Sequence, residues 1–174
     1  MQKTVFRYGL ISIIVLVIGG YLNFLIFKDN YASQETGGYI TILLSLIFVY
    51  FGIRQYRDKW NGGTITYGRA FMVGILIVLF PSIAFGIFDV VYIRYLDPGF
   101  SEKYYAYTAG QMKASMSPAQ YQAKIQQMES SKAMFNNVYF QFITMAATVF
   151  LIGLVVTAIS SLILQKKQAV QPAL

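Results

Sequence analysis

The stretch AFMVGILIVLFPSIAFGIF, Ala70 to Phe88, carries no charged side chain. A helix rises about 1.5 Å per residue, so a run of this length reaches across most of a hydrocarbon core of about 30 Å. No water is available to the backbone there, and every N–H and C=O must be bonded inside the segment, which a helix achieves. Three further runs share the pattern: Tyr8 to Phe27, Thr36 to Ile53 and Val138 to Leu164. The expectation is an all-α, polytopic membrane protein forming a single membrane domain over 1–174. Its transmembrane helices are expected at 8–27, 36–53, 70–91 and 138–164. A cytoplasmic loop at 54–69, an extracytoplasmic helical segment at 92–137 between helices three and four, and a cytoplasmic tail at 165–174 complete the reading.

Composition agrees, since 56% of residues are hydrophobic and only 12% are charged, outside ordinary soluble usage. The net charge of +7 raises nucleic acid as a partner. Phosphate-binding cations cluster on one soluble face, however, whereas these flank apolar runs, so no nucleic-acid partner is expected. Membrane topology accounts for them better. With both termini cytoplasmic, the inner side holds Lys3, Arg7, Arg54, Arg57, Lys59, Arg69, Lys166 and Lys167 against the single acid Asp58. The outer side holds Lys28, Arg94, Lys103, Lys113, Lys124 and Lys132, nearly balanced by Asp29, Glu35, Asp97, Glu102 and Glu129. Positive loops stay inside, which favours this orientation. Lys3 and Arg7 before Leu10 to Ile18 resemble the start of a secretory signal, but the apolar run continues to Phe27 without an A-x-A-like site. It reads as a retained first helix.

The connections are short except one. Lys28-Asp29-Asn30 and Gly37-Gly38 suggest a tight antiparallel hairpin between the first two helices. Arg54 to Gly63 is basic and aromatic; Trp60, Tyr56 and Tyr67 suit the headgroup layer, where the cations meet anionic lipid. Asn61-Gly62-Gly63 signals a turn, and Thr66 is placed to cap the third helix, although Arg69 stands where a capping box has Glu or Gln. In the long segment 92–137, Asp97-Pro98-Gly99 is a turn, Ser101 is a cap candidate, and Ser117-Pro118 offers an N-cap followed by proline at the first helical position. Tyr121, Ile125, Met128 and Phe135 then share one side of a helix whose other side carries Gln122, Lys124, Gln126, Gln127 and Glu129. That face needs a cover: the first half of the same segment, the membrane surface, or another protein.

Gly62-Gly63-Thr64-Ile65-Thr66-Tyr67-Gly68-Arg69-Ala70-Phe71, continuing Met72-Val73-Gly74, followed by Tyr95-Leu96-Asp97-Pro98-Gly99-Phe100, resembles the paired signatures of the bacterial membrane family labelled domain of unknown function 4199, common in Bacteroidota. The resemblance covers nearly the whole chain, from the first helix to the fourth. It implies a four-helix bacterial inner-membrane protein and brings no activity, catalytic residue or cofactor with it.

Chemistry narrows the field further. Without histidine or cysteine the chain lacks the common general base, the common metal ligand and the thiol nucleophile. The acids Asp29, Glu35, Asp58, Asp89, Asp97, Glu102 and Glu129 are scattered, so no carboxylate pair is expected, and no lysine lies within a span to make a Ser–Lys dyad. The expectation is no enzyme, no cofactor and no metal site. Four polar or helix-breaking positions remain as structural or transport candidates. Asp89, at the outer end of helix three, reads first as an interfacial pair with Arg94, with Tyr92 also in reach. Pro81 withdraws a donor from the Ile77 carbonyl, a vacancy for Ser82 to fill. Asn23 with Gly19 and Gly20, and Gly153, Thr157 and Ser161, suit close helix contact and cross-helix hydrogen bonds rather than a pore. No internal repeat of the transporter kind is visible. Two functions follow: a non-enzymatic scaffold or accessory subunit presenting the outer helical segment to a membrane or periplasmic protein, or a small-solute transporter or channel subunit using Asp89, Arg94, Asn23 and Pro81. Either could assemble as a homo-oligomer, and the bilayer is a partner of both.

Overall fold

The computed structural model describes residues 1–28 and 30–166, apart from the side chains of Ala133 and Phe135. Asp29, Lys167, the tail beyond 166 and the Phe135 side chain therefore lie outside the described residues. Among the described residues, six α-helices follow one another: α1 (Gln2–Phe27), α2 (Tyr31–Gln55), α3 (Tyr67–Val91), α4 (Phe100–Ser115), α5 (Pro118–Phe135) and α6 (Val138–Leu164). Wider π-helical turns continue two of them, Tyr56–Trp60 after α2 and Tyr92–Leu96 after α3. Four of the six, α1, α2, α3 and α6, are long and apolar enough to cross a membrane.

Local chemistry sets the helix ends. Asn30 starts α2, its Oδ1 accepting from the Ser33 N–H at 3.0 Å, so the first connection is shorter than its residues suggested and Gly37-Gly38 lies inside α2. Gly37 sits there because a β-carbon would overlap the Asn23 Oδ1 of α1. Asn137 opens α6 in the same way, accepting from the Tyr139 N–H at 2.9 Å and the Phe140 N–H at 3.3 Å. Gly62 and Gly63 adopt φ of +62° and +76°, as their turn demands. Thr66 holds the N-cap position of α3 without a side-chain bond. Ser117 and Pro118 start α5, where the Gln120 side chain accepts from the Ser117 N–H at 3.3 Å and its hydroxyl at 3.1 Å. Gly99 rather than Ser101 precedes α4. The turn closes two residues early because the Phe100 N–H bonds the Asp97 carbonyl at 2.9 Å and the Lys103 N–H bonds that of Gly99 at 3.1 Å.

The four long helices alternate in direction along the chain. The most extensive seams join α3 to α6 and α1 to α2, and α1 also meets α3 while α2 meets both α3 and α6. Leu16, Leu46, Ile53, Ile77, Val78 and Val149 are buried along these seams. Outside, a belt of exposed Ile, Leu, Val and Phe from the same helices covers the bundle, which is the inverse of a water-soluble surface and matches a lipid solvent. Small residues set the approach: Gly153 of α6 lies against Val78, Gly74 against Thr157, and Gly19 against Thr41, the close contact that membrane helices use for dispersion. Cross-helix hydrogen bonds from the same stripe are not formed, for the Thr157 and Ser161 hydroxyls have no partner. Ser82 bonds the Val78 carbonyl at 2.8 Å, one helical turn back from itself, rather than the Ile77 carbonyl that Pro81 leaves without a donor.

Candidate functional site

The basic residues read at helix flanks come together at one end of the bundle, where α1 and α3 begin and α2 and α6 finish. Arg57 Nη1 bonds the Leu164 carbonyl at 3.2 Å, capping α6. Its Nε lies 2.6 Å from Asp58, which Arg54 also approaches at 3.7 Å. Ile65 and Lys166 exchange backbone hydrogen bonds of 2.9 and 2.8 Å, pinning the chain after α6 to the turn before α3. Trp60 and Tyr67 are exposed beside this ring of charge. Nothing here converges on a substrate; the arrangement fits a headgroup layer.

The opposite end is different. At the end of α3 the chain widens into a π-turn, with the Asp97 N–H bonding the Tyr92 carbonyl at 2.9 Å. Asp89 and Tyr92, three residues apart, lie on neighbouring positions of one helix face. Tyr92 is only 9% exposed, held by Phe24 of α1 and Phe100 at ring-centre distances of 5.2 Å each and stacked on Phe88. Phe24 follows Asn23, whose Nδ2 donates to the Gln34 carbonyl of α2 at 2.8 Å. Gln34 also approaches the Tyr92 hydroxyl, and Gln141 of α6 approaches Asp89. Residues from all four long helices therefore meet at this end. Three of their oxygens, Asn23 Oδ1, Asp89 Oδ2 and the Tyr92 hydroxyl, are buried without a hydrogen-bond partner.

The expected Asp89–Arg94 pair is absent. Residues five apart on a helix lie roughly 140° apart around it, so Arg94 is carried outward and is exposed while Asp89 turns toward α6. Among the described residues the ion pairs are Arg54–Asp58, Arg57–Asp58 and Lys103–Asp97. No hydrogen bond joins the Tyr92 hydroxyl to Asp89 either. Pro81 is buried in α3, two turns from Asp89 and roughly 12 Å along the helix axis, too far to join the cluster. Gln34, Gln141 and Tyr31 are additions to the site. A glutamine in the otherwise apolar opening of α6, VYFQFITM, is a signal that could have pointed to it.

An aromatic ladder rises from this cluster into α4. Tyr92 meets Phe100, Phe100 stacks on Tyr104 at 5.6 Å, and Tyr31 at the start of α2 touches Phe100, Tyr104 and Tyr107 at 6.0, 6.2 and 5.3 Å. Lys103 closes the turn by donating to Asp97 at 2.9 Å. Burial pushes the Tyr104 phenol up and the Glu35 carboxylate adds to this, while a hydrogen bond with Thr108 pulls the other way; the ring stays neutral at physiological pH. Beyond the ladder, α4 and α5 form a hairpin. Tyr121, Ile125 and Met128 are half-buried on α5, with Gln122, Lys124, Gln126, Gln127 and Glu129 exposed opposite.

A bundle of four membrane-length helices, polar at one end and topped by a helical hairpin, defines a polytopic membrane protein with a built outlying module. The family profile described as "Protein of unknown function (DUF4199)" matches residues 7–166, and the chain belongs to that family. No curated protein and no solved structure matches it.

Proposed function

We propose that the chain is a non-enzymatic scaffold or accessory subunit of a bacterial inner membrane, with both termini cytoplasmic, presenting the α4–α5 hairpin to a membrane or periplasmic protein partner. One observation carries this reading: no described residue of the hairpin is fully buried. Helices of 16 and 18 residues are near the length at which isolated helices are marginal in water, so a hairpin held mainly at its base has stabilisation to gain from a partner along its length. Charge supports the orientation, because the basic residues at the end opposite the hairpin face the single acid Asp58, whereas those on the hairpin side are nearly balanced by acids.

The test pairs two variants in mild detergent, Ile125→Asp and Asp89→Asn. Under the scaffold reading a stoichiometric partner copurifies with the wild type and with Lys124→Ala, and is lost with Ile125→Asp at unchanged membrane yield. A second reading, movement of a small solute, is favoured by the Asp89 carboxylate lying within a span without a counter-charge. Normal partner recovery with Ile125→Asp, together with loss of function in Asp89→Asn at unchanged yield, would reverse the ranking.

A further inference from the structure

We infer that the lipid belt crosses the bundle on a slant, so that phospholipid headgroups meet α1 beside Arg7 while acyl chains cover α6 at the same height. Glycine contacts fix what lies at one height. A β-carbon added to Gly52 of α2 would fall 2.4 Å from Ile77 of α3 and 3.3 Å from Tyr8 of α1, and one added to Gly153 of α6 would fall 2.3 Å from Val78 of α3. Tyr8, Gly52, Ile77, Val78 and Gly153 therefore share a level. From there toward the basic end, α1 meets a charge at the next residue, Arg7, and α2 meets Arg54 after two, about 3 Å along the axis. On α3 the next charge is Arg69, nine residues from Val78, about 13 Å. On α6 none occurs before the helix ends at Leu164, eleven residues from Gly153, about 16 Å.

Arg7 marks the boundary on its side. It is exposed, its guanidinium lies 6.0 Å from the Tyr8 ring centre, and the ion pairs among the described residues do not include it. An unpaired arginine in hydrocarbon is costly, and its side chain extends to headgroups instead. On α6 the same level is followed by exposed Ile159, Leu162 and Ile163, which suit acyl chains. The offset recurs at the other end, where Gly20 of α1 lies against Phe88 and Gly86 of α3 against Phe142 of α6. Beyond that level α1 stays apolar and exposed through Leu22, Leu25 and Ile26, whereas α6 reaches its Asn137 cap within five residues, about 8 Å. Both shifts displace the belt on α1 away from the basic end relative to α6. These two helices each pack on α2 and α3 and form no comparable seam with one another, so the shift builds across the width of the bundle. A leaning bundle accommodates it, since membrane helices tilt by about 20° on average and by up to about 40°. Upright seating would sink Arg7 into hydrocarbon or lift Ile163 into water. The slant follows from spanning a bilayer and holds whether the chain scaffolds a partner or moves a solute.

The test uses the full-length chain in phospholipid nanodiscs, which leave both faces open to reagent, with single cysteines in a chain that has none. Phe6 and Val155 each lie two residues from the shared level toward the basic end, and each is 59% exposed, so protein cover does not separate them. A maleimide reacts with the thiolate, whose charge hydrocarbon disfavours. Phe6→Cys should therefore react at least about tenfold faster than Val155→Cys, each rate taken relative to the same variant in denaturant. At the other end Tyr139→Cys should outpace Ile26→Cys by a similar factor, although Ile26 lies further from the middle of the bundle. Equal rates within the pairs, or the reverse order, would overturn the slant. Fast labelling of Phe6→Cys without the expected order at the second pair marks fraying of α1 and likewise counts against it. Should Phe6→Cys fail to fold, the second pair decides alone.

Discussion

Gly153→Ala tests the bundle at its most extensive seam, α3 with α6. A β-carbon there lies 2.3 Å from Val78 Cγ1 and 2.9 Å from Cγ2, where carbon atoms prefer about 3.5–4.0 Å. Val78 is fully buried and, being β-branched on a helix, is confined to essentially one χ1 rotamer. The strain is therefore relieved by moving α6 away from α3, which loosens the neighbouring contact of Gly74 with Thr157. Overpacking of this kind costs about 1–3 kcal/mol. At roughly 2–4 °C per kcal/mol for a chain of this size, a thermal midpoint lowered by roughly 4–8 °C in detergent corresponds to the middle of that range. Gly38→Ala is the control: it also lies inside a helix but has nothing within 4 Å of the new carbon, so it should be neutral or stabilising by up to about 1 kcal/mol. Combining Gly153→Ala with Val78→Ala should recover part of the loss, since the clashing methyls are gone. An unchanged midpoint for Gly153→Ala, or an equal fall for Gly38→Ala, would refute the close approach of α3 and α6.

Two other outcomes are expected. The chain has no cysteine, so single cysteines report cleanly on topology: Ser115→Cys should react with an impermeant thiol reagent in spheroplasts and Asn61→Cys should not, and the reverse labelling would sink the orientation. Tyr31→Ala removes three ring contacts from the base of α4, each worth about 0.5–1.5 kcal/mol; with the ladder partly exposed, a loss of about 2 kcal/mol should speed proteolysis within 100–137 by roughly thirtyfold while leaving the bundle's midpoint in place, and equal cleavage rates would remove the ladder as the hairpin's anchor.

Much of the architecture is written locally. Charge-free runs such as Ala70 to Phe88 demand spanning helices because a bilayer tolerates no unpaired backbone, and that requirement acts within each segment. Ser117-Pro118 and Asn61-Gly62-Gly63 are likewise legible, since capping and positive φ depend on adjacent residues. Where the reading slipped, distant groups had intervened. Gly37-Gly38 looks like a loop in isolation, yet both lie inside α2, and the glycine at 37 leaves room for Asn23 of another helix. Ser101 yields the start of α4 to Gly99 where the Asp97 turn closes and Phe100 packs on Tyr31 and Tyr92.

The candidate site divides along the same line. Asn23 and Asp89 are conspicuous as polar groups in apolar helices, so sequence alone singles them out. Pairing Asp89 with Arg94 was the natural local guess, and helix geometry defeats it by sending the two side chains in different directions. Only the packing of α1, α2, α3 and α6 brings Asn23 near Tyr92 through Gln34, turns Asp89 toward Gln141, and leaves three oxygens without partners. The bilayer dictates the helices one at a time through their own backbones; which polar atoms meet, and which are left unsatisfied, depends on how those helices approach one another, and that is decided by glycine contacts and ring packing between residues far apart in the chain.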